Sequence, residues 1–328
     1  MSNIFIGRRD SVGFGIEATA GTAVAPQVWE KQLKLTLDQK TTVQKDTSAL
    51  GRIEDVHDSA VTEEWADGSL NGRIHDLSVG YLLLNMFGTC AAAAHPSETV
   101  VYDNTFTVLQ TAPPPSLTFT RLNPNVTGRY AMGTQTDFQI DATSGGFVEY
   151  TSTIVSKVRA TSSDTATYVA QNGFTSKHVV VKLANNVSGL TGATALQLKS
   201  VKLKISRKAD RFTPLGQIDP ASFDPEAFSV SGEIVLRYTD TTLEALGLGN
   251  TLQAMSIAIT NTDTTIGTGS NPALVFTAPQ TKLMPITLDN NLDQTMNQTI
   301  AFNCELSTSV GYMLQAVLTN TQNGYAHA

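Results

Sequence analysis

The sequence predicts a mainly β protein. It reads as two tandem β-barrel or sandwich units, each with one short flanking helix, whose open strand edges a barrel shared between subunits would close. Three observations carry this. The first is a stretch over residues 134–158, where two alternating runs, 136–142 and 147–155, are joined at Ser144-Gly145-Gly146. Phe138 and Ile140 share one parity on the first run, and Val148, Tyr150, Ser152 and Ile154 share one on the second. A Gly-Gly connection between such runs is a hairpin signal. The second observation is that the pattern returns over residues 280–306, offset by 145 residues from Gln135 to Gln280. Phe138 and Ile140 are answered by Leu283 and Ile286, and Asp289-Asn290-Asn291 replaces the glycines. Such recurrence suggests an internal duplication. The third is composition. Charged residues are 16% of the chain, against the usual ~25%. Thr, Ser, Asn and Gln supply the polar surface instead, which suits strands and tight turns.

The 328 residues are enough for about two domains with a large core. The net charge is −7. Tight non-specific nucleic-acid binding needs a surplus of Lys and Arg, so this balance argues against a DNA clamp. It allows an acidic surface that nucleic acid passes without sticking. Few charges also suit a surface covered by other subunits. Cys90 and Cys304 are far apart with no metal-like spacing and read as free thiols in a reducing compartment. Residues 1–5 show no signal-peptide pattern. The most apolar run, residues 79–87, is about half a bilayer span. No membrane anchor is expected.

In order, residues 1–30 read as an extended arm of small residues, Gly and Pro that needs a surface to lie on. Gly13-Phe14-Gly15 lacks the third glycine and the Lys-Ser/Thr of phosphate loops. The first unit spans 31–159. Leu33, Leu35 and Leu37 alternate as a strand. The next thirty residues are polar, contain Leu50-Gly51-Arg52-Ile53 and the acidic Glu54, Asp55, Asp58, Glu63, Glu64 and Asp67, and read as a long interaction loop. His57 among them has no second histidine near it, which points to a solvated loop rather than a metal site. A strand over 68–74 leads to a helix over 77–87, capped by Asp76 and stopped by Gly88, with Leu77, Tyr81 and Leu84 on its core face. Residues 91–96 read as loop, with strands at 99–102, 106–109 and 117–121 before the hairpin.

Residues 160–199 join the halves, with short strands near 165–170 and 178–183. His178 shows no partner in the sequence. The second unit, 200–307, repeats the order of the first. Val201, Leu203 and Ile205 form a strand, and Leu215-Gly216-Gln217-Ile218-Asp219 answers Leu50-Gly51-Arg52-Ile53-Glu54. Ser231-Gly232-Glu233-Ile234 answers Asn71-Gly72-Arg73-Ile74. Asp240, Leu243, Leu246 and Gly247 make a shorter helix, followed by a strand at 256–260 and the closing hairpin. Residues 308–328 read as a polar tail with a brief apolar stretch at 312–318. Open strand edges invite aggregation unless they are covered, and a barrel shared between subunits removes them.

The stretch GIEATAGTAVAPQVW, carried by Gly15, Glu17, Thr19, Gly21, Thr22, Ala23, Val24, Pro26 and Trp29, resembles the N-terminal signature of major tail tube proteins of long-tailed bacteriophages. The acidic segment 65–72 running into the helix that ends at Gly88 resembles that family too. The resemblance implies rings with a continuous inner β-barrel and outer helices, stacked through long loops and terminal arms, with DNA passing down the lumen. Single-domain members use six copies, so two tandem tube domains imply a trimeric, pseudo-hexameric ring rather than a hexameric one. It further implies a place in the virion tail, assembly in the bacterial cytoplasm, and tape measure, tail terminator and tail-tip proteins as partners. No cofactor and no catalytic or metal residues are expected. The lumen-strand candidates are Asp137, Asp141, Glu149, Asp289 and Asp293. The stacking candidates are loops 40–66 and 207–228, with Leu50, Gly51, Arg52, Glu54, Asp55, Glu63, Glu64, Leu215, Gly216 and Asp219. A weakly acidic lumen would let double-stranded DNA slide without tight binding.

Three rival classes compete with that reading: a tail-tip or baseplate ring component, a carbohydrate-binding β-sandwich adhesin, and a hydrolase. The adhesin class displays clustered aromatics, whereas aromatics here are 7% and scattered. Against a hydrolase, His57, His75, His95, His178 and His327 lie in unrelated contexts, with no Gly-x-Ser-x-Gly or His-Glu-x-x-His motif.

Overall fold

Alternating apolar and polar residues extend most of the chain into strands. The computed structural model describes residues 6–125, 127–289 and 292–326. The readings that fall on residues 1–5, Asn290, Asn291 and His327 lie outside the described residues. Among those described, eighteen strands and two α-helices form. β1 (Ser11–Ile16), β2 (Val28–Glu30), β3 (Gln32–Asp46) and β4 (Asp58–Arg73) precede α1 (Val79–Phe87). β5 (Gly88–Ala94), β6 (Tyr102–Val108), β7 (Leu117–Leu122), β8 (Thr127–Thr143), β9 (Val148–Ser156) and β10 (Arg159–Thr161) follow. β11 (Val179–Ala184) lies in the join. Then come β12 (Leu198–Phe212), β13 (Ser222–Arg237), α2 (Thr242–Leu248), β14 (Leu252–Thr260), β15 (Ala273–Leu283), β16 (Thr287–Asp289), β17 (Asn297–Glu305) and β18 (Gln315–Asn320). The fold is a mainly β, antiparallel sheet structure.

One run of strands organises the rest. Its order is β3-β4-β9-β8-β12-β13-β17, with the end of β15 and β16 sharing the last place. Each half supplies four places, and β8 joins β12 antiparallel from Thr143↔Ser200 to Asp137↔Ser206. In both halves a glycine faces an aromatic on the next strand: Gly72↔Tyr150 on β4–β9 and Gly232↔Phe302 on β13–β17. A Cβ at either glycine would enter the ring opposite, so the aromatic lies over the bare backbone. Core residues from both halves form one contiguous cluster, from Val12 and Phe14 through Phe138 and Ile205 to Phe302 and Leu318.

The 134–155 hairpin forms as expected, with Ala142 opposite Val148, Gly145 at a φ of 82° in the turn and one bulge between Gln135 and Asp137. Its counterpart forms as β15 and β16 against β17. α1 ends at Gly88, which takes the left-handed φ of 96° that glycine tolerates and donates its N–H to Leu84 O.

Several expectations change. The polar loops 40–66 and 207–228 are strand over most of their length, leaving only 47–57 and 213–221 outside the ladders. Beyond Asp38 and before Glu63 the β3–β4 ribbon is mostly exposed on both faces, so no apolar alternation marks it. Residues 91–94 are strand, because pairing with β6 outweighs the weak β preference of alanine. Residues 165–170 are not strand. Asp76 does not cap α1. Its buried carboxylate accepts from Asn172 N (2.8 Å) and Asn172 Nδ2 (2.7 Å), and burial raises its pKa. The C-terminal stretch is no tail: β18 pairs with both β6 and β15, and Tyr325 is buried.

Candidate assembly interface

The N-terminal signature folds back on its own chain. β1 is buried between β2 and β7, with Gly13 opposite both Trp29 and Thr120. The Glu17 carboxylate, buried, accepts four hydrogen bonds. They come from Gly21 N (2.7 Å), Ser116 Oγ (2.6 Å), Thr118 Oγ1 (2.7 Å) and Met132 N (2.8 Å). A buried carboxylate needs such donors, and these tie the loop between β1 and β2 to β7 and β8. Thr22 N donates to Thr19 O (3.0 Å), and Val24 N to Thr118 Oγ1 (3.0 Å). Gly15 has Val24 and Ala25 where a side chain would stand, and Pro26 fills the same place over Gly13. The signature is therefore an intramolecular clamp and not a free arm.

The eight-place run has one face in the core and one outside it. Phe138, Ile140 and Ala142 point into the core from β8, and Val201, Leu203 and Ile205 do so from β12. Asp137, Asp141, Lys202 and Lys204 take the alternate parity and share the other face. There Lys204 Nζ lies 3.2 Å from Asp137 Oδ1, and Lys202 Nζ 4.0 Å from Asp141 Oδ1. Ser206 Oγ also donates to Asp137, and Gln139 Nε2 to Asp141 Oδ2 (2.7 Å). Glu149 is on this face too, opposite Arg73 on β4 and Asp141 on β8. Asp289 closes β16 and Asp293 lies in the exposed segment after it, apart from the other three. The lysines went unread in the sequence. The alternation Val201-Lys202-Leu203-Lys204-Ile205 placed them on one face, but nothing local showed which strand they would meet.

The two long ribbons, β3–β4 and β12–β13, reach past the body and end in matching tips. Gly51 and Gly216 both take a positive φ, of 73° and 87°. Leu50, Ile53, Leu215 and Ile218 are exposed there, as are Arg52, Glu54 and Asp55. The second tip lies along the first ribbon. Glu64 N donates to Ile218 O (2.8 Å), and Arg211 Nη2 to Glu63 Oε2 (2.8 Å). The Arg211 guanidinium stacks 3.6 Å over the Trp65 ring. Glu64 titrates above its ordinary range, through partial burial and then the facing Asp219 carboxyl.

Little else offers chemistry. The four described histidines each lie within 4 Å of a carboxylate: His57–Asp46, His75–Glu30, His95–Asp103 and His178–Asp263. His178, expected without a partner, is thus supplied with one from the loop after β14. Among the described residues no cluster of three or more His, Cys, Asp or Glu could hold a metal ion. No described helix is long and apolar enough to cross a membrane. Cys90 and Cys304 are both free, and burial pushes the Cys304 thiol up to about 12.

A family model described as phage tail tube protein matches residues 7–304 of the chain. No curated protein matches it.

Proposed function

The chain belongs to the phage tail tube protein family, and from that premise we propose that it polymerises as stacked rings into the tail tube through which DNA leaves the virion. The family alone makes it a structural protein of the virion tail. The observation that carries the finer reading is the eight-place strand run with one apolar and one polar face. Its two four-strand sections are best explained by a tandem duplication, so three chains supply the six sections of a ring. The run bends into an arc whose polar face lines the lumen. Hydroxyls, amides and neutralised carboxylates there hold no surplus of positive charge for phosphates to bind. The ribbons and their tips project toward the next ring, and tape measure, terminator and tail-tip proteins close the stack.

Negative-stain microscopy with light scattering tests this reading. Annular particles or tubes with an axial channel are expected, with a ring mass of three 35.0 kDa chains. A chain that stays monomeric at high concentration overturns it. The tips give a sharper test. Asp46 and Asp58 are directly paired, so residues 47–57 can be replaced by Asn-Gly without disturbing the ladder. That variant is expected to form rings and no long tubes; long tubes would remove the tip from stacking.

A further inference from the structure

Among the described residues Arg207 is the one arginine or lysine that is buried, at 7% exposed. It follows Val201, Leu203 and Ile205 on the core-facing side of β12. Its one hydrogen bond there runs from Nη1 to Met86 O (3.4 Å), at the C-terminal end of α1, and its Nε has no partner. Arg121, Arg129 and Arg211 are all more exposed, yet each meets a carboxylate at 2.6–2.8 Å. No described carboxylate does the same for Arg207, and burial alone lowers its pKa. A buried cation without a counter-charge costs stability, and a facing carboxylate removes that cost.

The guanidinium lies in the wall of an open cleft of about 780 Å³. Val108, Leu109, Pro113 and Met313 make the cleft apolar, with Leu306 at 55% exposed. Phe228, opposite Arg207 in the β12–β13 ladder, packs its ring 5.6 Å from Phe87 at the base. Along the same cleft β13 runs from Asp224 to Phe228 with β12 as its one strand partner, because its pairing with β17 starts only at Ser231. The outer backbone groups of that stretch are free to meet an extended chain. Asp224 and Glu226 also line the cleft, and Asp224 accepts from Ser222 Oγ (3.1 Å) rather than from Arg207. Their charge turns away a densely anionic polymer such as nucleic acid. A single carboxylate set between apolar side chains suits both the walls and the guanidinium.

We propose that this cleft is a docking site for an extended segment of a partner protein, in which one Asp or Glu side chain between apolar residues pairs with Arg207. The cleft opens on the apolar side of the strand run, away from Lys202 and Lys204 on the polar face. It is separate from the ring and stacking contacts of the tube reading and does not depend on them.

Isothermal titration calorimetry tests the site with the pentapeptide Ala-Leu-Glu-Leu-Ala, blocked at both ends. The parent is expected to bind it at least about tenfold more tightly than the Gln analogue, because hydrogen bonds to charged groups are about twice as strong as neutral ones. Equal affinities, or no binding at millimolar peptide, overturn the site. The Gln peptide with a free C-terminal carboxylate is expected to bind no better than its blocked form. If it binds as tightly as the Glu peptide, the assignment to a side-chain carboxylate is overturned. Arg207→Met is expected to keep the parent's circular dichroism and to lose the preference for Glu over Gln, and a folded variant that keeps that preference overturns the pairing. If Arg207→Met does not fold, Leu306→Glu decides from the exposed rim. It is expected to unfold at the parent's temperature and to weaken the Glu peptide about tenfold by like-charge repulsion, and unchanged affinity overturns the site. The titration reads one site per chain in monomers and rings alike, so its failure leaves the tube reading standing.

Discussion

α1 follows β4 and α2 follows β13, each after a long ribbon, yet one is closed over and the other is left bare. All nine residues of α1 are buried, whereas α2 buries two of its seven. The difference lies in what the chain brings to each. Over α1 it lays β5, β6 and the C-terminal Tyr325, whose ring sits 5.1 Å from Tyr81 and 5.7 Å from Phe106. The Tyr325 hydroxyl donates to Leu77 O (3.0 Å) and accepts from Asn320 Nδ2 (2.8 Å). Gly80 leaves the room that ring needs. Among the described residues no comparable segment returns over α2. The first half is therefore completed within the chain, and the second half keeps an apolar surface that folding does not bury. A monomer usually avoids such a surface, and an assembling subunit requires it.

Substitutions can break this contrast, and the largest effect belongs to Tyr325→Ala. It removes the cover of α1 and leaves a cavity, at an expected cost of about 3–5 kcal/mol by thermal or urea denaturation. A loss near zero would mean that α1 is held by other contacts. Glu17→Ala comes next. It leaves four inward-facing donors without their acceptor, for an expected cost of about 3 kcal/mol and faster proteolysis within residues 18–27. Wild-type protease resistance in that variant would break the clamp reading. On the open side, Leu248→Ala is expected to shift monomer stability by no more than about 0.5 kcal/mol, because the residue meets solvent there. A loss as large as that of Tyr325→Ala would erase the contrast.

The smallest effect is electrostatic and links the halves. Glu98, between β5 and β6, accepts from Thr268 N (2.9 Å), Gly269 N (3.0 Å) and Ser270 Oγ (2.9 Å) in the loop between β14 and β15. Those donors, the Thr268 backbone N–H first, hold its carboxyl at about 2, below its ordinary 4.5. A depressed carboxyl adds stability that is present in full above about pH 4.5 and is lost as pH falls toward 2. The Glu98→Gln variant should lose that part of the acid slope. An NMR titration placing Glu98 near 4.5 would show that the loop does not hold it.

How much was legible depended on whether a segment buries one face. Residues 136–142 and 147–155 alternate because one side meets the core, and each forms a strand close to where it was expected. The apolar run ending at Gly88 announced α1 as well, although all nine of its residues are buried. The outer ribbons were misread as loops because they leave the body and lose that alternation. Glu17 was singled out only through a family resemblance. Its donors, Ser116, Thr118 and Met132, lie about a hundred residues away, and no local pattern connects them.

What the sequence by itself determined is the β class, the hairpin over 134–155 and the apolar face of the central strands. Those features follow from local alternation and turn residues, which need no partner to be read. Tertiary structure alone decided that β8 meets β12, that Lys202 and Lys204 neutralise Asp141 and Asp137, that the chain's end covers α1, and that α2 stays bare. Strand pairing and helix cover are long-range choices, made by which buried faces and free ladders remain once the local elements exist.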